Sequence, residues 1–156
     1  VRKLLIAFSV LANFVTLFMP TSAFADKASD AKILAVKTLQ AAVASGGGSE
    51  NLKAGFKRAL EVLEPAPIFS APHGRDYGYC LKDPKTIAFV PRDGDIYVCK
   101  KALKLSTEAL AQSLIHEAAH VAGYKSECDA TKLEVYAMKL AGKEIAVENK
   151  YFKSCF

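Results

Sequence analysis

The chain has 156 residues, 51% of them hydrophobic, and carries 21 basic against 16 acidic side chains for a formal net charge of +5. The charges are mixed along the chain and form no basic stripe, so nucleic acid is not an indicated partner. After the N-terminal leader no run of about 18 apolar residues occurs, which argues against a membrane span in the remainder.

Residues 1–25 read as a secretory signal peptide: Arg2 and Lys3 precede an apolar run from Leu4 to Phe18, and Ala23 and Ala25 occupy the small positions of an Ala-x-Ala cleavage pattern. The expected cut lies between Ala25 and Asp26. Its removal leaves residues 26–156, a length suited to one domain with a single core. Such a product is periplasmic or secreted, a compartment in which disulfides persist. All four cysteines, Cys80, Cys99, Cys128 and Cys155, fall in this part. Two bridges are expected; the pairing of Cys80 with Cys99 and Cys128 with Cys155 would close two local loops, but the sequence allows three pairings. A four-cysteine zinc site is disfavoured because no C-x-x-C spacing occurs.

Residues 26–64 read as a helical scaffold. From Lys27 to Ser45, Ile33, Val36, Leu39, Ala42 and Val43 recur at helical spacing, and Gly46-Gly47-Gly48 stops the pattern. Ser49 offers an N-cap to a second amphipathic helix marked by Leu52, Phe56, Leu60 and Leu63, which Pro65 and Pro67 end. The period then changes. Thr86 to Val90 and Asp95 to Cys99 read as strands around the turn residues Pro91-Arg92-Asp93-Gly94, hence a β-hairpin. Tyr77, Tyr79 and Cys80 suggest a further extended segment. Ser106 caps a helix with Glu108 in its first turn and Leu110, Leu114 and Val121 at helical spacing up to a Gly123 stop. Ser126, with Asp129 three positions on, starts a last helix through Leu133, Tyr136, Ala137 and Leu140 towards Val147. The expected class is therefore α+β.

The chemistry-bearing segment is His116-Glu117-Ala118-Ala119-His120. A helix turns about 100° per residue, so His116 and His120 stand one turn apart on one face, where two imidazoles can hold one metal ion, with Glu117 beside them. Zinc in such a place acidifies water, and the adjacent carboxylate can take the proton as hydroxide attacks a carbonyl. His73, in a Pro-Gly-rich stretch without a second ligand, reads as a loop histidine. Tyr124 and Tyr136 flank the motif and could steady an oxyanion, although packing is the commoner role of such tyrosines.

The run from Leu114 to Gly123 resembles the active-site helix of the zincin metallopeptidases, and Ile96-Tyr97-Val98-Cys99 is similar to the strand that borders the substrate cleft in small zincins. The resemblance spans roughly residues 86–140 and is specific at the His-Glu-x-x-His core. It implies a zinc-dependent peptidase acting on a peptide or protein substrate, with one zinc ion on His116, His120 and an acid, and Glu117 as general base. It also implies an edge position for the 96–99 strand, where substrate would add by backbone pairing. Ser126 stands where metzincins place their third ligand, which excludes a strict metzincin assignment. Glu127 matches best the helix-borne glutamate of gluzincin-like families; Asp129 is the rival by likeness to aspzincins, whose Gly-Thr and Tyr-Gly partners are missing here, and Glu134 is a third candidate. Cys128 is assigned to a disulfide in preference to the metal. Two other classes remain: a metal-binding accessory or immunity-type protein without hydrolysis, and a disulfide-stapled interaction domain without metal.

Overall fold

The computed structural model of the chain describes residues 21–70, 77–82, 86–91, 94–146 and 151–156. Most of the expected leader and His73 lie outside these residues. In chain order the elements are helices α1 (Thr21–Ser45) and α2 (Glu50–Leu63), strand β1 (Ile68–Ser70), the short helix α3 (Tyr77–Lys82), strands β2 (Ala88–Phe89) and β3 (Ile96–Val98), a 3₁₀ turn at Lys100–Lys104, helices α4 (Thr107–Val121) and α5 (Glu127–Leu140), and α6 (Phe152–Cys155). This is an α+β arrangement in which α4 packs against α1, α2 and α5 and also meets β2 and β3. Among the described residues no helix is long and apolar enough to cross a membrane.

Thr21, the first described residue, is already helical, ahead of the expected Lys27, so a cut after Ala25 would fall within α1. Its buried face is the expected one only in part: Leu39, Ala42 and the half-buried Val36 lie on the core, whereas Ile33 and Val43 do not. Ala28, Ala31, Ala35, Leu39 and Ala42 are buried, whereas Ile33 is 51% and Val43 40% exposed. The physical reason is the alanine row: side chains of one carbon let the α1 backbone approach α4 and α5 closely, a contact that a face of branched residues would hold apart. α2 starts as expected. The Ser49 side chain accepts from the Leu52 N–H at 3.4 Å, and Phe56, Ala59 and Leu63 enter the core. Gly55 is needed there, because a Cβ would overlap the Tyr124 hydroxyl and come within 2.8 Å of Leu133.

The sheet has the order β1-β3-β2. The expected hairpin is present as the antiparallel pair of β2 with β3, Ala88 opposite Val98 and Phe89 opposite Tyr97. β1 pairs in parallel with β3, with Ile68 opposite Ile96. β1 escaped the sequence reading because three residues beside Pro67 are too short to show alternation. Since both neighbours of β3 are taken, the Ile96–Val98 strand is central, and the expected edge position for added substrate backbone is incorrect. Ile96 and Val98 point into the core, while Tyr97 lies on the other face, with its ring 5.4 Å from Phe69 and 5.5 Å from Phe89. Such cross-strand aromatic pairs add packing energy to a small sheet. Tyr77 to Lys82 form the helix α3 where an extended segment was expected, and Cys80 ties it to the end of β3 through a disulfide with Cys99.

α4 and α5 are set up by their ends. Ser106 accepts from the Ala109 N–H at 3.1 Å, and Gly123, at φ +98°, closes α4 with its N–H on the His120 carbonyl and the Tyr124 N–H on the Ala119 carbonyl. Ser126 caps α5 by accepting from the Asp129 N–H. α5 ends at Leu140, short of the expected Val147, which lies outside the described residues. Gly142, at φ +66°, enters the left-handed region in which a helix cannot continue, and Lys143 N–H returns to the Met138 carbonyl. The second disulfide joins Cys128, in the first turn of α5, to Cys155 in α6.

Candidate metal centre

α4 carries His116 and His120 on the face it turns towards α5, and the tight Gly123–Ser126 connection brings the first turn of α5 back beside them. His116 Nε2 lies 3.1 Å from His120 Nε2 and 3.1 Å from Glu127 Oε2, and His120 Nε2 lies 3.7 Å from the same carboxylate oxygen. His116, His120 and Glu127 are thus a group that could hold a metal ion. His116 is buried, His120 half-buried and Glu127 open to solvent, so one side of the group is accessible. Asp129 and Glu134 are not in it. Asp129 is exposed in the first turn of α5, where its N–H is capped by Ser126.

The far sides of both rings determine what their near sides offer. His120 Nδ1 donates to the Tyr124 carbonyl at 2.7 Å; a carbonyl can only accept, so this nitrogen carries the proton and Nε2 of the neutral ring presents a lone pair. At His116 the buried carboxylate of Glu134 lies 3.0 Å from Nδ1, a close contact set off the ring's N–H axis. It too favours the proton on Nδ1. Two imidazole lone pairs and a carboxylate then face one point, an arrangement that is repulsive unless a positive charge sits between them. At metal–ligand lengths of about 2.0–2.1 Å, tetrahedral donors stand roughly 3.3–3.4 Å apart, so the observed separations fit such a shell. Three protein donors with one side open is also the donor count of catalytic zinc centres.

In the metal-free chain that positive charge is a proton. Burial disfavours a charged His116, but the hydrogen bond to Glu127 and the close Glu134 carboxylate, with the charge of Glu117, outweigh it and push the ring up to about 10. Burial pushes the Glu117 carboxyl up to about 7; His116 pulls it down, and Glu127 and Glu134 add to the rise. Both groups hold their protons more tightly folded than unfolded. Their contribution to stability is complete below the unfolded values of 4.5 and 6.5 and is lost as pH climbs through about 7 and then about 10. The metal-free protein should therefore unfold at a lower urea concentration at pH 9 than at pH 6. A midpoint that rises over this range would contradict that account.

The flanking tyrosines are engaged elsewhere. The Tyr124 hydroxyl accepts from Arg58 Nη2 at 3.0 Å and donates to the Asn51 carbonyl at 3.2 Å, which ties the α4–α5 connection to α2. Tyr136 packs against Phe156, with ring centroids 6.2 Å apart. An oxyanion role for Tyr124 is therefore set aside: the site uses its backbone carbonyl. The sequence reading missed Gln112, a fully buried amide one helical turn before His116 that bonds to Glu134. The signal was present as a single amide among Leu110, Ala111 and Leu114 on a buried helix. Comparison with protein-family models, curated proteins and solved structures finds no match to this chain.

Proposed function

We propose that this chain is an exported zinc-dependent hydrolase that cleaves peptide bonds, with one zinc ion on His116, His120 and Glu127 and with Glu117 as general base. The observation that carries the reading is the convergence of two lone-pair nitrogens and a carboxylate oxygen, each 3.1 to 3.7 Å from the next, one residue away from a glutamate. A zinc ion there would supply a Lewis acid for a carbonyl oxygen and would acidify water. The protein's own share is division of labour: Glu134 and the Tyr124 carbonyl keep the ring protons away from the ligand side, Glu127 adds a negative donor, and Glu117 takes a proton from water and returns it to the departing amine. Glu117 has the freedom for this task, with no hydrogen bond or ion pair among the described residues.

Export is supported by the two disulfides, which persist in oxidising compartments, and by the leader-like N-terminal sequence. The choice of peptide as substrate rests on the likeness of the His-Glu-x-x-His helix to zincins. Elemental analysis of the purified protein is expected to find about one zinc per chain, lost on His116→Ala, together with zinc-dependent hydrolysis of an unfolded protein such as casein. Zinc without hydrolysis of any peptide would favour an accessory protein, and no zinc at all would leave a disulfide-stapled domain.

A further inference from the structure

We propose that Gln112 is a positioning residue of the metal centre, acting on His116 through Glu134; the inference rests on the zinc reading of His116, His120 and Glu127. Gln112 is completely buried on α4, four residues and so one turn before His116. Its side-chain oxygen accepts the Ala146 backbone N–H at 2.9 Å. An N–H can only donate, so the atom facing Ala146 must be the oxygen, and the amide nitrogen is obliged to face the other way. There it donates to Glu134 Oε1 at 3.2 Å, and Glu134 Oε2 lies 3.0 Å from His116 Nδ1.

The amide is thus oriented by the main chain that follows α5, and it in turn orients a carboxylate that is 2% exposed. With Oε1 committed to Gln112, the plane of the Glu134 carboxylate is held and Oε2 is kept at the imidazole. Nδ1 retains its proton, and Nε2 keeps its lone pair aimed at the point shared with His120 and Glu127. Partners behind a ligating histidine govern ring orientation and ligand basicity, and their loss typically lowers metal affinity about 10- to 100-fold.

The test is zinc affinity of the full chain by chelator competition at pH 7, with the urea midpoint of the metal-free protein as a second readout. Gln112→Glu keeps the acceptor for Ala146 but sets a second buried carboxyl group, charged or sharing a proton, against Glu134 in place of the neutral amide donor, and is expected to weaken zinc binding by about tenfold or more. Gln112→Met removes both contacts and should weaken it at least as much. In a Glu134→Gln background, which alone lowers affinity, either change at Gln112 should alter it less than about twofold, because the path is already broken. Unchanged affinity in Gln112→Glu, or losses that multiply fully in the double variant, would overturn the proposal, even if the variants are less stable to urea. Failure of the unsubstituted chain to take up zinc would overturn this inference and the hydrolase reading together, whereas normal uptake with an indifferent Gln112 overturns the inference alone.

Discussion

Glu117→Gln is expected to leave zinc uptake intact and to lower peptide hydrolysis by roughly 10²- to 10⁴-fold, the range over which a positioned general base contributes. Glutamine matches glutamate in size and helix propensity, so α4 should not move. It keeps a polar tip but has no basic site for a proton. The three atoms that could hold the ion belong to His116, His120 and Glu127, so the shell is left whole. Folding should not suffer, since burial already disfavours the charged carboxylate at this position. His116→Ala gives a useful contrast, because it should abolish metal uptake and hydrolysis together. Metal content and turnover measured on the same preparations separate the two outcomes. A zinc-loaded Glu117→Gln protein with undiminished turnover would remove Glu117 from the mechanism.

The second large effect concerns the disulfide between Cys128 and Cys155, whose members are 27 residues apart. Opening it by replacing both cysteines with serine releases that loop in the unfolded chain, which by the chain-entropy treatment costs about 3–4 kcal/mol. Native stabilities are roughly 5–15 kcal/mol, so the loss is a large share of the whole. The bridge between Cys80 and Cys99 closes a loop of 19 residues and should cost nearly as much in stability. The two differ in what they hold. Cys128 follows Glu127 directly in the first turn of α5, where helix ends fray most easily, whereas Cys80 and Cys99 join α3 to the end of β3. Urea unfolding should therefore show similar losses for the two double-serine variants. Chelator competition at low temperature, where both remain folded, should show weakened zinc binding only for the Cys128 and Cys155 pair. Equal metal affinity in the two variants would mean that the first turn of α5 holds Glu127 without help from the bridge.

Much of this molecule could be read residue by residue. Ser49, Ser106 and Ser126 each precede a helix whose first free N–H groups they cap, and Gly123 stands where α4 must turn. The hairpin followed from a change of period around a Pro-x-x-Gly turn. The two histidines share a face because a four-residue step is one turn of any α-helix. All of these depend on distances within a few residues, which backbone geometry sets before any packing occurs.

Other features depend on elements meeting across space. Glu127, Asp129 and Glu134 are all acids on one helix, and only family likeness ranked Glu127 ahead of Asp129 and Glu134. The angle at which α5 returns past α4 sends Glu127 to the ligand side of His116, Glu134 to its far side, and Asp129 to solvent. The central place of β3 needed the parallel pairing with β1, a strand too short to show a pattern. The buried face of α1 needed to know how closely its neighbours come, which favours alanine over isoleucine. By itself the sequence determined the four longer helices, the serines that cap three of them and the spacing of the histidines, because these are local, whereas it misread α3 as extended and carried α5 past Leu140. Which carboxylate joins the histidines, which cysteines pair, and how Gln112 stands behind His116 were decided only by the tertiary structure, because each is a contact between segments that the chain must fold to bring together.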